Sequence, residues 1–183
     1  MKNISVIIAL AFAFSATKAA ELPVSTDEPV FVVAPDHWTA TKTKSPGGRF
    51  PFETFRVEAP GDRNVVCLIS IYGKDKPEFT DPEFLKTLLR AESRPYVGSP
   101  SQLSTIEIEE LTIQGGQGFC SNFVDPDLVG KPSQKGNYKT ATPVLMSIGT
   151  KYLIKLTILC DEINGTDYQD AITIVESIRV KQP

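Results

Sequence analysis

The chain has 183 residues, a net charge of −3 and 41% hydrophobic residues. That length suits one ordinary domain with a real core, and the mildly acidic balance without a basic block excludes a nucleic-acid binder held by phosphate contacts. Three cysteines and a single histidine exclude a disulfide-framework mini-protein and a multi-histidine metal site.

The first stretch reads as a secretory signal peptide over residues 1–19. Lys2 gives it a positive start, Val6 to Phe14 is a short apolar run, and Thr17 and Ala19 are small residues at −3 and −1. The run is too short to span a bilayer. Removing 19 of the 183 residues leaves 164; two lysines leave with them, so the net charge moves from −3 to −5. No later apolar stretch is long enough to cross a membrane. The expected organisation is a signal peptide over 1–19, a flexible leader over 20–29 and one α+β domain over 30–183.

Beyond the leader, Val30 to Val33 predicts a short strand, Pro35-Asp36-His37-Trp38 a turn, and Trp38 to Lys44 a second strand. Ser45 to Pro51, with Pro-Gly-Gly, predicts an exposed loop. Phe52 to Glu58 alternates and predicts a half-wet strand, Pro60-Gly61-Asp62 a turn, and Val65 to Tyr72 a nearly continuous buried strand. Asp81-Pro82-Glu83 is a helix start, with Asp81 as cap and Pro82 at the first helical position. Phe84, Leu85, Leu88 and Leu89 form its apolar stripe, and Arg94-Pro95 ends it. Tyr96 to Ser104 predicts a loop. In Thr105 to Ile113 the apolar residues change phase, from Ile106 and Ile108 to Leu111 and Ile113; a β-bulge at Glu109-Glu110 would keep all four on one face. After Gly115-Gly116-Gln117-Gly118 comes a strand, Phe119 to Val124, and then a polar loop to Asn137.

The central stretch is Tyr138 to Cys160, two apolar runs around Gly149-Thr150 that predict a hairpin with a two-residue type II′ turn. That turn pairs Ser147 with Tyr152 and Leu145 with Ile154, and places Ala141, Pro143 and Leu145 on one face with Ile154, Leu156 and Ile158. Both faces are apolar, so both need cover. In the closing helix, Thr166 and Gln169 make a capping box, and Tyr168, Ala171, Ile172, Val175 and Ile178 form the core face. Cys67, Cys120 and Cys160 lie in or at the ends of apolar runs, as small buried hydrophobes do. If the strands run as a meander, Cys120 and Cys160 sit two strand spacings apart, about 9.5 Å. A disulfide needs Cα atoms within about 7 Å, so any intramolecular bond must include Cys67.

Little in the chain points to catalysis. His37 has no recognisable partner and no Gly-x-Ser-x-Gly elbow accompanies it. The glycine run leads into an apolar strand and not a helix, so it reads as a close backbone approach and not a phosphate cradle. Gln114-x-Gly116-x-Gly118 brushes the inhibitory loop of cystatins, but the long helix of that family is missing. Asp161, Glu162, Asp167 and Asp170 lack calcium-loop spacing, since Ile163 stands where a ligand should be. Glu107, Glu109 and Glu110 read as a wet strand edge, and Asn164-Gly165-Thr166 is a glycosylation sequon. No catalytic, cofactor-binding or metal-binding residue is assigned.

Taken together, several features resemble the Mog1/PsbP-like superfamily over Phe31 to Val180. They are an opening strand with Pro35-x-x-Trp38, the strand Val65 to Tyr72 leading into a capped helix, and a strand running into Gly115-Gly116-x-Gly118. The hairpin and the closing helix around Ile172 to Arg179 complete the pattern. The resemblance implies an antiparallel sheet with helices packed on both faces, an α/β/α sandwich. It implies a mostly non-catalytic role, as in a Ran-binding nuclear protein, photosystem II extrinsic subunits and exported bacterial proteins. The signal segment argues against the nuclear role, and no Ran-binding or photosystem residues carry over by position. The expected function is an exported, periplasmic or extracellular protein that binds or supports a protein or small-molecule partner, without cofactor, nucleic acid or stable membrane insertion. The alternatives are a secreted hydrolase-like enzyme using His37 or Cys120, and a small-ligand carrier.

Overall fold

The structure is a computed structural model that describes residues 20–24, 30–43 and 53–180. Residues 1–19, read above as a signal peptide, residues 25–29 of the expected leader and the loop expected over Ser45 to Pro51 lie outside them. The chain is α+β, with mostly antiparallel sheets and two α-helices. Its strands are β1 (Ala20–Pro23), β2 (Val30–Ala34), β3 (Thr39–Thr43), β4 (Glu53–Glu58), β5 (Val66–Gly73), β6 (Glu109–Leu111), β7 (Gly116–Cys120), β8 (Phe123–Val124), β9 (Thr140–Ile148), β10 (Tyr152–Cys160) and β11 (Arg179–Val180). The helices are α1 (Pro82–Glu92) and α2 (Thr166–Glu176). The larger sheet has eight strands in the order β3-β4-β5-β10-β9-β7-β6, with β8 also paired to β9.

The hairpin β9–β10 is its centre, as expected, and eight consecutive residues of β9, Thr140 to Ser147, are buried. The register differs from the expected one by one residue: Tyr152 faces Ile148, and Ile154 faces Met146. Gly149, Thr150 and Lys151 therefore form a three-residue loop, with Gly149 at φ +57. Neighbouring chain holds it there, because Gly149 N–H donates to the Gly115 carbonyl at 3.3 Å and Lys76 N–H to the Thr150 carbonyl at 2.8 Å. A one-residue slip reverses which residues share a face. Val144 and Met146 thus join Ile154, Leu156 and Ile158 in a buried cluster with Ala171, Ile174 and Val175 of α2. Leu145, between them in β9, packs in a separate cluster with Phe119 and with Leu85 and Leu89 of α1.

α1 begins as the sequence predicts, with the Asp81 carboxylate accepting from the Glu83 N–H at 2.9 Å. α2 does not. Thr166 is its first helical residue, Gly165 is the cap without a side-chain bond, and Asn164 before it has φ 71, so the Thr166–Gln169 capping box is absent. Such a box caps the 3-10 turn Pro100–Ser104 instead, between Ser99 and Gln102. Ile174, missed in the sequence reading, is fully buried, whereas Ile172 is only partly so.

Two further corrections concern the ends of the sheet. Residues 20–24, expected as loose leader, are anchored: β1 pairs antiparallel with β2, and Val24 is fully buried. With β11 they make a second, three-stranded sheet. Ser177, just after α2, ties that sheet to the helix: its hydroxyl accepts from Val33 N–H at 2.7 Å and contacts the Val33 and Ile174 carbonyls. The bulge at Glu109-Glu110 is also absent. β6 has only three residues; Ile108 packs in the α1 cluster, and Leu111 and Ile113 in the other. The phase change marks a switch of face as the strand begins.

Candidate functional site

The structure keeps His37 and Cys120 apart. His37 is in the turn before β3, at φ 68, with its side chain 77% exposed and beside Asp36 at 3.3 Å. Cys120 is on β7, five strand positions from β3 in the sheet order, or about 24 Å at the usual spacing. The Cys120 thiol is buried, and burial, with a smaller contribution from the Glu109 carboxylate, pushes its pKa up to about 12. It stays protonated at neutral pH, the reverse of an activated nucleophile. Burial also raises the pKa of Cys67 and of Cys160. All three thiols are free. β9 lies between the strands of Cys120 and Cys160, which keeps those two thiols from bonding.

The acidic cluster after the hairpin is occupied by structural contacts. Asp167 and Asp170 both pair with Arg63 at 2.6 Å, whose guanidinium lies over the Trp38 ring at 5.4 Å. Asp161 accepts from Asn64 at 2.8 Å and from Ser133. Among the described residues no group of three or more His, Cys, Asp or Glu side chains could hold a metal. The glycine run is a close approach, as predicted: a Cβ on Gly116 would stand 1.9 Å from the Ser147 carbonyl oxygen, and one on Gly118 2.8 Å from Ile113 Cγ1. Both glycines lie inside β7 and not in a projecting inhibitory loop.

A cleft beside α1 is lined by Tyr72, Phe79, Phe84, Leu88, Leu145 and Leu153, with Lys76, Glu92 and Lys155 at its rim, and has a volume of about 270 Å³. Lys155 pairs with Glu92 and Lys76 with Glu78, so the rim carries balanced charge. The cleft is smaller than the roughly 300–1,000 Å³ of sites that enclose a drug-sized ligand.

A larger cavity, about 470 Å³, lies where β8 meets the chain after α1. Its walls include Pro95, Tyr96, Phe123, Val124, Pro126 and Lys139. The Tyr96 and Phe123 rings stack with centroids 5.5 Å apart. Tyr96 is 37% exposed and Val124 54%, two of the three exposed large hydrophobic residues among those described. Sequence packing explains the gap. β7 and β8 share one register against β9, with Cys120 facing Val144 and Phe123 facing Ala141. Pro143 interrupts the ladder between them, because it has no N–H to donate. β6 covers the outer side of this strand only up to Cys120, opposite Glu109. Among the described residues β8 pairs with β9 alone, so an unpaired strand edge runs beside an apolar slot. The sequence reading did not single out Tyr96, Phe123 or Val124. The available signal was the phase change before Leu111, which limits the length of β6.

No family model matches the sequence, and no curated protein matches it. Among solved structures, the chain is similar to the solution structure of cyanobacterial PsbP (CyanoP) from Synechocystis sp. PCC 6803, with a TM-score of 0.54 at 10% identity, covering 95% of this chain and 99% of that one. The chain has a PsbP-like fold. The PsbP-like arrangement is thus reached with almost none of the same residues, so the likeness carries the architecture and no site. Among the described residues, no helix of this PsbP-like chain is long and apolar enough to cross a membrane.

Proposed function

We propose that this chain is an exported, non-catalytic accessory protein that docks a protein partner on the face formed by Tyr96, Phe123 and Val124. The observation that carries the reading is the unpaired β8 edge beside an exposed apolar slot, since sheet edges and apolar patches are the surfaces through which domains recruit partners. The PsbP-like fold supports an accessory or assembly role, and residues 1–19 support export to the periplasm or the extracellular space. We also infer a three-layer α/β/α arrangement. Leu145 packs toward α1 while its neighbours Val144 and Met146 pack toward α2, and adjacent strand residues point to opposite faces. The enzyme reading is weaker, because His37 and Cys120 lie far apart and the thiol is held neutral. The carrier reading is weaker too, because the most apolar cleft, beside α1, is small at about 270 Å³ and the larger cavity at β8 is open to solvent along an unpaired strand edge.

The test is a double variant, Tyr96→Ser with Val124→Asp, expressed with its signal segment in the native host. The expected result is a normally accumulating protein with an unchanged melting temperature that elutes without the partner complex formed by the wild type. An unaltered complex would overturn the assignment of this face.

A further inference from the structure

We propose that the β8 edge receives a basic, extended segment of the partner as an added strand, an inference that rests on the docking face assigned above. Ser121 donates its N–H to the Pro143 carbonyl at 3.2 Å, and Asp125 donates to the Lys139 carbonyl at 2.8 Å. Alternate residues of an antiparallel strand turn their backbone groups to opposite neighbours. The N–H and C=O of Val124 therefore point away from β9, to the side on which β6 runs. β6 does not reach them. Its last ties in this direction are the Ser121 hydroxyl donating to the Glu107 carbonyl and the Asn122 side-chain amide donating to the Glu109 carboxylate at 3.3 Å, and further back the chain is in the 3-10 turn Pro100–Ser104.

The vacancy has the chemistry of a missing strand. An incoming segment in line with β6 meets one backbone donor and one acceptor from Val124. It also meets an apolar slot against Tyr96, Phe123 and Pro126 for one of its side chains. Such strand addition draws affinity from the main chain and selectivity from the pocket. The flanking charge sets the sign of the segment. Glu107 and Glu109 stand at one end and Asp125 and Asp127 at the other, all exposed. None of the four forms an ion pair among the described residues, and Lys139 is the one base lining the cavity. A segment with lysine or arginine at its ends matches this field, and one with acids is repelled.

The probe is an octapeptide alternating threonine and valine, with phenylalanine at the centre and lysine at both ends. It is titrated into the isotope-labelled protein and followed by amide NMR shifts. Two control peptides carry glutamate ends, or N-methyl groups on alternate peptide bonds. Val124→Pro, read against Val124→Ala, is the decisive variant: proline is tolerated on an edge where its N–H faces outward, so the variant folds without the outward donor, and Val124→Ala accounts for the loss of the valine side chain. Binding centred on Tyr96 and residues 122–125 is expected, weakened about tenfold or more by Val124→Pro, by N-methylation and by the acidic ends. No saturable shift with the basic peptide, or equal binding of basic and acidic peptides, overturns the proposal. If Tyr96→Ala weakens binding while Val124→Pro and N-methylation do not, strand addition is wrong and the docking face itself stands.

Discussion

Ile174 and Ile172 are two residues apart in α2, and their truncations should separate sharply. Ile174 is fully buried and belongs to the same core cluster as Val144, Met146 and Ile158. Ile174→Ala removes three carbon groups, about 2.4 kcal/mol at ~0.8 each. The site cannot collapse freely, because Ser177 pins the end of the helix to β2. A residual cavity then raises the loss to about 3–4 kcal/mol. Ile172 is only partly buried against the core, so Ile172→Ala costs about 1 kcal/mol, less the few tenths that alanine gains in a helix. For a domain of this size each kcal/mol shifts the melting temperature by about 2–4 °C. Ile174→Ala should therefore melt roughly 10 °C lower, and Ile172→Ala only a few degrees. Circular dichroism melts and urea titrations of both variants measure this. Equal losses, or a larger loss at Ile172, would refute the packing of α2 described here.

Three further outcomes follow from the same packing. Cys120 is protonated in the fold up to about pH 12, whereas an unfolded cysteine ionises near 8.5. Its contribution is thus fully present below about pH 8.5 and is lost as pH rises toward 12, amounting to about 2 kcal/mol by pH 10; Cys120→Ala should flatten that part of a urea-midpoint profile, and an unchanged profile would contradict the burial. Gly116→Ala forces a Cβ against the Ser147 carbonyl and should cost about 3 kcal/mol or more, while Gly118→Ala meets the movable Ile113 side chain and should cost about 1 kcal/mol, as read by urea midpoints. His37→Ala should leave partner binding and export intact in the native host, and loss of function with normal folding would revive the enzyme reading.

Much of the architecture is written in local signals. The two apolar runs of β9 and β10 announce a sheet covered on both sides, and Asp81-Pro82-Glu83 starts α1 where it does because cap and first turn are both satisfied locally. What was not legible depends on neighbours distant in sequence. The hairpin loop takes three residues because Gly115 and Lys76 bond to it, and no turn rule applied to Gly149-Thr150 contains those partners. α2 starts one residue away from the expected cap because Gly165, after Asn164 at φ 71, takes the cap position. β1 was hidden because Leu22 and Val24 are too few to announce a strand until β2 offers them an edge. The proposed docking face was hidden for a related reason. Tyr96, Phe123 and Val124 are ordinary loop and strand residues, and they line an open slot only because β6 stops short.

The most direct test places a photo-crosslinking amino acid at position 124 of the full chain in its native host, with exposed position 173 on α2 as the control. A discrete crosslinked protein at position 124, absent at 173 and lost in the Tyr96→Ser background, is the predicted result. Equal crosslinking at both positions, or a partner captured at 173 alone, would contradict the claim that the β8 face is where this protein meets its partner.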